Sequence, residues 1–356
     1  MRPVALVSLE TAVPSYSIDQ VDVAAFARSV FEGRHEDFPR LANVFATAGI
    51  RTRYAVRPLE WFQRPRDWAD RMTAYADGAQ ALFTSVARKA LAAAGLTGRD
   101  IDTIVTVSST GIAAPTLEAR AFKDLGFRED VRRVPVFGLG CAGGAAGLGL
   151  ASRLAAAEPG DRVLLVVVEL CTLAFRLDKP TKSNIVASAL FGDGTAACVL
   201  QSVSASDGGP GGVLATVESS GEHLWPDTLD IMGWAIDPQG FDVIFSRTIP
   251  PFAQANARTA AAAVLARSDL RLDDIDRFVF HPGGAKVITA LERGLSLDRG
   301  TLADERAVLA DYGNMSAPTV LFVLKRALAA GIHGRILMSA MGPGFTLNCV
   351  TLRTAV

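Results

Sequence analysis

The chain has 356 residues, 49% of them hydrophobic and 21% charged, which is enough for a large core and for two domains or one duplicated unit. Its formal net charge of −1 gives no reason to expect nucleic acid or an anionic membrane surface as the main partner. No run of about 18 apolar residues occurs and the N-terminus lacks a secretory apolar region, so we expect a cytoplasmic protein with no membrane partner.

The first part of the chain alternates apolar runs with helical patterns. Strands are predicted at residues 3–9, 100–111 (ending in a turn), 133–138, 162–169 and 195–201. Helices are predicted at residues 19–32, 72–94, 116–125 and 141–157. This alternation indicates an α/β fold with a mostly parallel sheet that is covered on both faces.

The region from residue 170 to residue 260 is less regular. It contains Phe-Gly-Asp-Gly at 191–194, a Gly/Ser-rich linker at 202–212, a predicted strand at 213–219 and an irregular stretch through Trp225 and Trp234. A helix is predicted at 250–267 and a strand at 276–280.

An internal repeat relates the two ends of the chain. Ile275 repeats Ile101 and Arg335 repeats Arg162, and each pair lies 173 or 174 residues apart within similar surrounding sequence. Such a constant offset implies two copies of one α/β unit, which we place at residues 1–206 and 207–356.

The four cysteines, Cys141, Cys171, Cys198 and Cys349, are far apart and form no Cys-x-x-Cys pair, which argues against a metal site and favours a reducing compartment. Cys141 follows a Gly-rich turn and opens a helix, where the dipole favours the nucleophilic thiolate. Two other interpretations stay open: a buried structural cysteine, and a dinucleotide loop formed by Gly138-x-Gly140-x-x-Gly143.

The duplication directs two further residues toward Cys141. Packing of two similar halves about a pseudo-twofold axis brings the helix starts at Cys141 and Asn314 together. His281 directly follows the strand at 276–280, at the kind of strand end where α/β folds build their sites.

These three residue types together can perform acyl transfer. The imidazole can generate the thiolate, which attacks a thioester carbonyl and becomes acylated. The imidazole N–H and the Asn314 amide can then bind the enolate oxygen that forms when a malonyl thioester loses carbon dioxide. The resulting carbanion would attack the acyl-cysteine, and no metal or redox cofactor is required.

Five motifs in the chain resemble those of the type III polyketide synthases, the chalcone-synthase-like enzymes of the thiolase superfamily. They are Cys141 in its Gly-rich turn, Phe-Gly-Asp-Gly at 191–194, Phe-His-Pro-Gly-Gly at 280–284, Tyr-Gly-Asn-Met-Ser at 312–316 and Gly-Pro-Gly-Phe-Thr at 342–346. The resemblance covers essentially the whole chain. It implies a five-layered αβαβα thiolase fold, a homodimer, and a catalytic triad of Cys141, His281 and Asn314 that acts on coenzyme A thioesters without a cofactor.

The resemblance also implies which residues surround the nucleophile. Phe191 matches a gatekeeper phenylalanine, the second gatekeeper falls at Ile236, and Trp234 is available to fill space beside it. The remaining cavity positions are Ser109, Thr110, Cys171, Ala174 and Ser316. The small side chain of Ala174, and Ala114 where a dimer partner usually inserts a methionine, suggest a longer apolar tunnel and a medium or long fatty acyl starter.

Coenzyme A carries a diphosphate, and the resemblance places Arg51, Arg53 and Lys286 near it. An arginine-rich run at residues 51–66 is equally typical of a solvated surface.

The expected activity is condensation of an acyl-coenzyme A starter with several malonyl-coenzyme A units, followed by cyclisation to an alkylpyrone or a resorcinol-type phenolic lipid. Three other functions remain in view. They are an NAD-dependent oxidoreductase that uses the glycine loop, a ketoacyl synthase of the fatty-acid type, and a catalytically idle binding protein on the same fold.

Overall fold

The computed structural model describes residues 3–202 and 212–354. Its strands are β1 (Val4–Ala12), β2 (Tyr16–Asp19), β3 (Thr52–Ala55), β4 (Thr103–Val107), β5 (Arg132–Val136), β6 (Arg162–Leu170), β7 (Asp193–Ser202), β8 (Ala215–Leu224), β9 (Met232–Asp237), β10 (Gly240–Phe245), β11 (Arg277–Phe280), β12 (Gly334–Gly342) and β13 (Thr346–Thr354). Its helices are α1 (Gln20–Phe31), α2 (Phe38–Leu41), α3 (Asn43–Thr47), α4 (Trp68–Ala93), α5 (Leu117–Arg120), α6 (Phe122–Leu125), α7 (Gly143–Ala157), α8 (Lys182–Leu190), α9 (Ile249–Ala266), α10 (Ala285–Gly294), α11 (Ala303–Tyr312) and α12 (Thr319–Ala329).

The main sheet shows the duplication directly. Its nine strands have the order β11-β12-β13-β8-β1-β7-β6-β4-β5. From the middle outward, β1-β7-β6-β4 pair antiparallel, antiparallel and parallel, and β8-β13-β12-β11 repeat that series. The two halves therefore have one topology, as the repeat predicts. The predicted boundary at 206/207 and all but the ends of the predicted linker at 202–212 lie outside the described residues.

The prediction of a mostly parallel sheet is wrong. Only the β4–β5, β4–β6 and β11–β12 pairs run parallel, so the sheet is mixed. Strands β6 and β7 are buried along almost their whole length and yet are antiparallel to each other. A continuous apolar run reports that both faces of a strand are covered, and it carries no information about strand direction.

The helices and the two halves of the main sheet stack in five layers. Along β6, Val163, Leu165 and Val167 face a core that α7 and α12 share, whereas the alternate residues Leu164 and Val166 face α4. This alternation follows from the two-residue period of a strand. Helices α9 and α10 pack on the outer face of the second half. The order α4, first half-sheet, α7 with α12, second half-sheet, α9 with α10 is the αβαβα arrangement of the thiolase fold.

Local sequence explains several element ends and leaves others unpredicted. Helix α4 starts four residues earlier than expected because the Asp67 side chain caps it by accepting from the Asp70 N–H at 2.8 Å. The predicted helix at 116–125 is two short helices, α5 and α6. Helix α8 and the β9–β10 hairpin were not predicted, and the hairpin strands pair only with each other within the described residues.

Candidate active site

Cys141 lies at the junction between the sheet and the central helix layer. It sits in a single 3-10 turn, Gly140–Ala142, directly before α7. Gly138 and Gly140 both have positive φ values, of 92° and 47°, which only glycine adopts readily. The Ser109 hydroxyl oxygen accepts hydrogen bonds from both of these glycine N–H groups at 3.1 Å, so the turn is held from the end of β4.

The other glycines of this run serve close packing. A Cβ atom at Gly144 would lie 2.2 Å from the Ala317 carbonyl oxygen, and one at Gly143 would lie 2.8 Å from Val107 Cγ1. The N–H groups of Gly138 and Gly140, which would have to face a pyrophosphate, donate to the Ser109 hydroxyl instead, so the turn gives no open cradle for one. The dinucleotide-loop interpretation of Gly138-x-Gly140-x-x-Gly143 is therefore wrong.

His281 follows β11 and is almost completely buried, with 6% of its surface exposed. Its backbone N–H donates to the Ser339 carbonyl at 2.9 Å, while neither ring nitrogen has a hydrogen-bond partner among the described residues. Burial lowers the pKa of His281 to about 3, so its imidazole is neutral at physiological pH.

Asn314 connects the two loops beside His281 and Phe191. Its side-chain N–H donates to the Gly283 carbonyl at 3.2 Å, and its side-chain oxygen accepts from the Ser316 N–H at 2.8 Å. Its backbone pairs with Leu190 and Gly192 on either side of Phe191. The amide is thus fixed in orientation, and its second N–H has no partner among the described residues.

A short series of contacts links the three residues. Ser316 and Cys141 line one cavity, and the Ser316 backbone N–H donates to the Asn314 side-chain oxygen at 2.8 Å. Asn314 in turn donates to Gly283, where an added Cβ would lie 3.8 Å from His281 Nε2. These contacts form a series from the cavity at Cys141 through Ser316 and Asn314 to the loop that follows His281, and the convergence of the three side chains on one reacting group stays a prediction.

The expectation that Cys141 rests as a thiolate is wrong. Burial raises the pKa of its thiol to about 11, and only the hydrogen bond with Ser316 and one backbone contact act in the opposite direction. The nearby Glu169 charge raises the pKa further. With a neutral imidazole beside it, the cysteine rests as a thiol, so the thiolate has to form by proton transfer when a substrate arrives.

A small cavity of about 40 Å³ opens beside the Cys141 sulfur. Six of the predicted cavity residues line it: Ser109, Thr110, Cys171, Phe191, Trp234 and Ser316. Ala174 lines a second, apolar cavity of about 60 Å³ that shares Cys171 and Phe191 with the first.

The predicted second gatekeeper does not lie in the cavity. The Ile236 side chain is 67% exposed, whereas Val243, which pairs with Trp234 across the hairpin, lines the wall. Trp234 fills part of this space, with its indole N–H donating to the Ser109 carbonyl at 2.9 Å and its ring 6.4 Å from that of Phe191.

Sequence reasoning missed Glu169, which is fully buried at the end of β6. Its carboxylate accepts from the Ser109 N–H at 2.9 Å and from the Thr110 hydroxyl at 2.7 Å. Burial outweighs these donors and raises the pKa of Glu169 to about 8. The sequence does contain a signal for a special role of Glu169, because it is the one acidic residue within the otherwise apolar run Leu-Val-Val-Val-Glu-Leu.

Two of the three residues predicted to bind the phosphates of coenzyme A, Arg51 and Arg53, interact with other groups of the protein instead. Arg53 is 3% exposed and donates to the carbonyls of Ser188, Ala189 and Phe191, so it supports the Phe191 turn from inside. Arg51 pairs with Asp311 on the surface. Both assignments to coenzyme A are therefore unsupported, because the Arg53 guanidinium is buried against carbonyl groups and Arg51 does not line the cavity at Cys141.

Lys286 lines a large cleft of about 620 Å³. Three cations that sequence reasoning missed line the same cleft: Arg40, Lys182 and Arg247. Phe245 lines both this cleft and the Cys141 cavity, so the two spaces adjoin. Among the helices that the structure describes, none has the length and apolar character needed to cross a bilayer.

Comparison with known proteins gives the family context. Residues 2–204 match the N-terminal domain of the chalcone and stilbene synthases, and residues 216–356 match the C-terminal domain. A 1,3,6,8-tetrahydroxynaphthalene synthase of Streptomyces peucetius is 38% identical, over 99% of this chain and 93% of that protein. An alpha-pyrone synthesis polyketide synthase-like protein of Mycobacterium tuberculosis is 30% identical, over 96% of this chain and 88% of that protein.

The fold agrees with a solved structure of the same kind. The crystal structure of 1,3,6,8-tetrahydroxynaphthalene synthase from Streptomyces coelicolor, described as a bacterial type III polyketide synthase, superposes with a TM-score of 0.92. The two sequences are 28% identical, and the alignment covers 99% of each chain.

Proposed function

The chain belongs to the chalcone and stilbene synthase family, the acyltransferases known as type III polyketide synthases, and from this we propose a specific reaction for it. It extends a medium or long fatty acyl-coenzyme A starter with malonyl-coenzyme A units and cyclises the chain to an alkylpyrone or resorcinol-type product. One observation carries this choice of starter: the apolar cavity at Ala174 adjoins the space beside the Cys141 sulfur, and Cys171 and Phe191 line both.

The proposed steps use only the three buried residues. The neutral His281 ring takes the Cys141 proton, the sulfur attacks the starter thioester, and coenzyme A leaves as its thiol. Malonyl-coenzyme A then loses carbon dioxide, and the enolate oxygen binds to N–H groups of His281 and Asn314. The enolate carbon attacks the acyl-cysteine carbonyl, which forms the new carbon–carbon bond and frees Cys141. These steps transfer acyl groups without net oxidation, so the proposal includes no cofactor.

Coenzyme A is proposed to bind in the cleft that contains Lys286. Arg40 and Lys182 share one carboxylate, that of Asp37, so together with Arg247 and Lys286 they leave this cleft a net positive lining suited to phosphate and diphosphate groups. Phe245 separates the cleft from the cavity, so a pantetheine arm that passes it would reach the sulfur. This set replaces Arg51 and Arg53 in the proposal.

The fatty tail is proposed to occupy the apolar cavity. Phe26, Phe62, Ala174 and Phe175 are among its lining residues, and its walls are almost entirely carbon. Three of its residues, Ile18, Phe26 and Leu59, also line a surface groove, so a long tail has room to continue outward. Incubation with labelled malonyl-coenzyme A and a panel of starters, read by product mass, tests this. Equal rates with acetyl, hexanoyl and lauroyl starters would contradict it.

Replacing Ala174 with tryptophan should shift the preferred starter to a shorter chain. The indole would occupy the apolar cavity next to Cys171. Each methylene kept out of an apolar site loses about 0.8 kcal/mol, so space lost for two methylenes lowers kcat/KM for a long starter by about tenfold. Ala174→Gly is the matched control and should keep the long-chain preference. An unchanged profile in Ala174→Trp would remove the tunnel from the proposal.

One observation favours a second candidate, in which malonyl-coenzyme A itself is the starter. Trp234 narrows the space directly beside Cys141 and donates to the Ser109 carbonyl, which leaves less room for a bulky first acyl group. The Streptomyces peucetius relative is named for a tetrahydroxynaphthalene product. The same starter panel separates the two candidates, since this one requires product from malonyl-coenzyme A alone at a rate that fatty starters do not increase.

We also propose a homodimer in the cytoplasm. Strand β5 is an edge of the main sheet, and Ile112 and Phe137 beside it are 53% and 51% exposed. Ala114 is exposed on the same loop as Ile112, so it is available to a partner copy. Light scattering should give about 75 kDa, twice the 37.6 kDa of one chain, and a value near one chain mass would contradict the dimer. The four free cysteines favour a reducing compartment, which cell fractionation would check.

A further inference from the structure

The β9–β10 hairpin forms one wall of the cavity at Cys141. Met232, Trp234, Val243 and Phe245 all line that space. Within the described residues the two strands pair with each other and with no strand of the nine-stranded sheet. Backbone ladders therefore do not fix the position of this wall, and side chains have to do so.

A group of charged side chains fastens the outer end of the hairpin to the segment before α8. The Arg176 guanidinium donates to both Asp237 carboxylate oxygens, at 3.0 and 3.2 Å. The Lys179 ammonium lies 2.6 Å from Asp237 and 2.8 Å from Asp242. The Asn184 amide donates to the other Asp242 oxygen at 3.0 Å. We call Arg176, Lys179, Asp237 and Asp242 the hairpin clamp.

Burial makes this clamp stronger than an ordinary surface ion pair. The Arg176 side chain has no exposed surface, and its fork geometry matches two carboxylates at once, Asp237 on the hairpin and Asp178 on its own segment. Hydrogen bonds from Lys179 and then Arg176 hold the pKa of Asp237 well below its usual range. A buried charge that loses its partner is strongly unfavourable, so the pair holds the hairpin tightly.

The clamp residues are close enough to Trp234 to control its position. Asp237 lies three residues further along β9, and Asp242 lies next to Val243, the residue that pairs with Trp234 across the hairpin. Any displacement of the outer end is therefore transmitted along one short ribbon to the cavity wall. On the other side, within the part of the chain that the structure describes, the Trp234 ring is held by one hydrogen bond, from its indole N–H to the Ser109 carbonyl.

We propose that the hairpin clamp fixes the distance between Trp234 and Cys141 and thereby limits how many malonyl units are added before release. Its members are positioning residues, because none of them lines the cavity at Cys141. This inference rests on the proposed growth of the chain on Cys141. With the clamp intact the wall stays close and long intermediates do not fit. When the clamp is open, the wall moves outward and further extension becomes possible.

Asp237→Asn tests the clamp with a minimal change of shape. Removing the charge weakens the bond to the buried Arg176, and we expect the ratio of longer to shorter products to rise by about fivefold or more. The rate of malonyl decarboxylation should stay within about twofold, because the reacting groups do not touch Asp237. Asp237→Glu should restore much of the original ratio.

Asp178→Asn is the matched control. It removes the same charge from the same arginine, but Asp178 lies on the segment before α8, and among the described residues its hydrogen bonds go to Arg176 and not to the hairpin that carries Trp234. Its product ratio should equal that of the wild type. In a Trp234→Ala background, Asp237→Asn should have no further effect on the ratio, because the clamp acts through the tryptophan.

The outcomes separate failure of the clamp from failure of the proposed reaction. A wild-type protein that makes product, with an unchanged ratio in folded Asp237→Asn, overturns the clamp alone. An equal shift in Asp178→Asn also overturns it. Absence of decarboxylation in the wild type with every starter instead overturns the proposed function. If Asp237→Asn does not fold, Asp242→Asn leaves the Arg176–Asp237 pair intact and should give a smaller shift in the same direction; no shift there overturns the clamp.

Discussion

Cys141→Ala should lower polyketide formation by on the order of 10⁴-fold or more, the size of loss expected when a covalent nucleophile is removed. Without the sulfur, the starter has no atom to which it can be transferred, so no carbon–carbon bond forms. Malonyl-coenzyme A decarboxylation should remain measurable, because the proposed oxyanion donors on His281 and Asn314 are still present. Release of labelled carbon dioxide and labelled product, measured in parallel, separates the two activities.

Cys171 supplies a matched control for this prediction. It is a buried cysteine that lines the same cavity as Cys141, and burial raises the pKa of its thiol as well. Cys171→Ala removes the same atoms from the same cavity wall and should retain chain extension within about tenfold. If Cys171→Ala abolishes extension and Cys141→Ala does not, the nucleophile has been assigned to the wrong sulfur.

The internal duplication was the most informative feature of the sequence for predicting the fold and the candidate site. A constant spacing between repeats reports topology, so it predicted that Cys141, His281 and Asn314 share one neighbourhood, and the two halves do repeat one strand topology. Six predicted cavity residues also line the space at the sulfur, because they follow strand ends or short motifs that fix them locally. Glycine turns and strand ends are local features, and local features are what a sequence expresses directly.

The parts that sequence missed depend on contacts between distant segments. Arg53 is interior because carbonyls about 135 positions away along the chain surround its guanidinium, and nothing near residue 53 signals this. The prediction that Cys141 rests as a thiolate was wrong, because a helix start lowers the pKa of a thiol only when water or a cation reaches it. Here burial has the larger effect on that pKa. The hairpin wall was missed because its position is set by ion pairs that have no periodic pattern.

Asn314→Ala is the second prediction with a large expected effect, a fall in malonyl-coenzyme A decarboxylation of about a hundredfold, which is the usual loss for one oxyanion donor. The orientation of the amide supports this value. Gly283 accepts one side-chain N–H and Ser316 donates to the side-chain oxygen, so the second N–H is held in a fixed direction. A preorganised donor of this kind stabilises the enolate without having to reorient during the reaction.

Alanine at this position also removes the acceptor for the buried Ser316 N–H, so a purely structural effect has to be separated from the loss of a donor. Asn314→Asp keeps that acceptor and lacks the side-chain N–H groups, and it should therefore be as slow as alanine. Asn348→Ala removes another buried asparagine of the same half, one that donates to Thr346, and should decarboxylate at close to the wild-type rate. A wild-type rate in folded Asn314→Ala would show that the enolate oxygen is stabilised without this amide, and the proposed role of Asn314 would then be wrong.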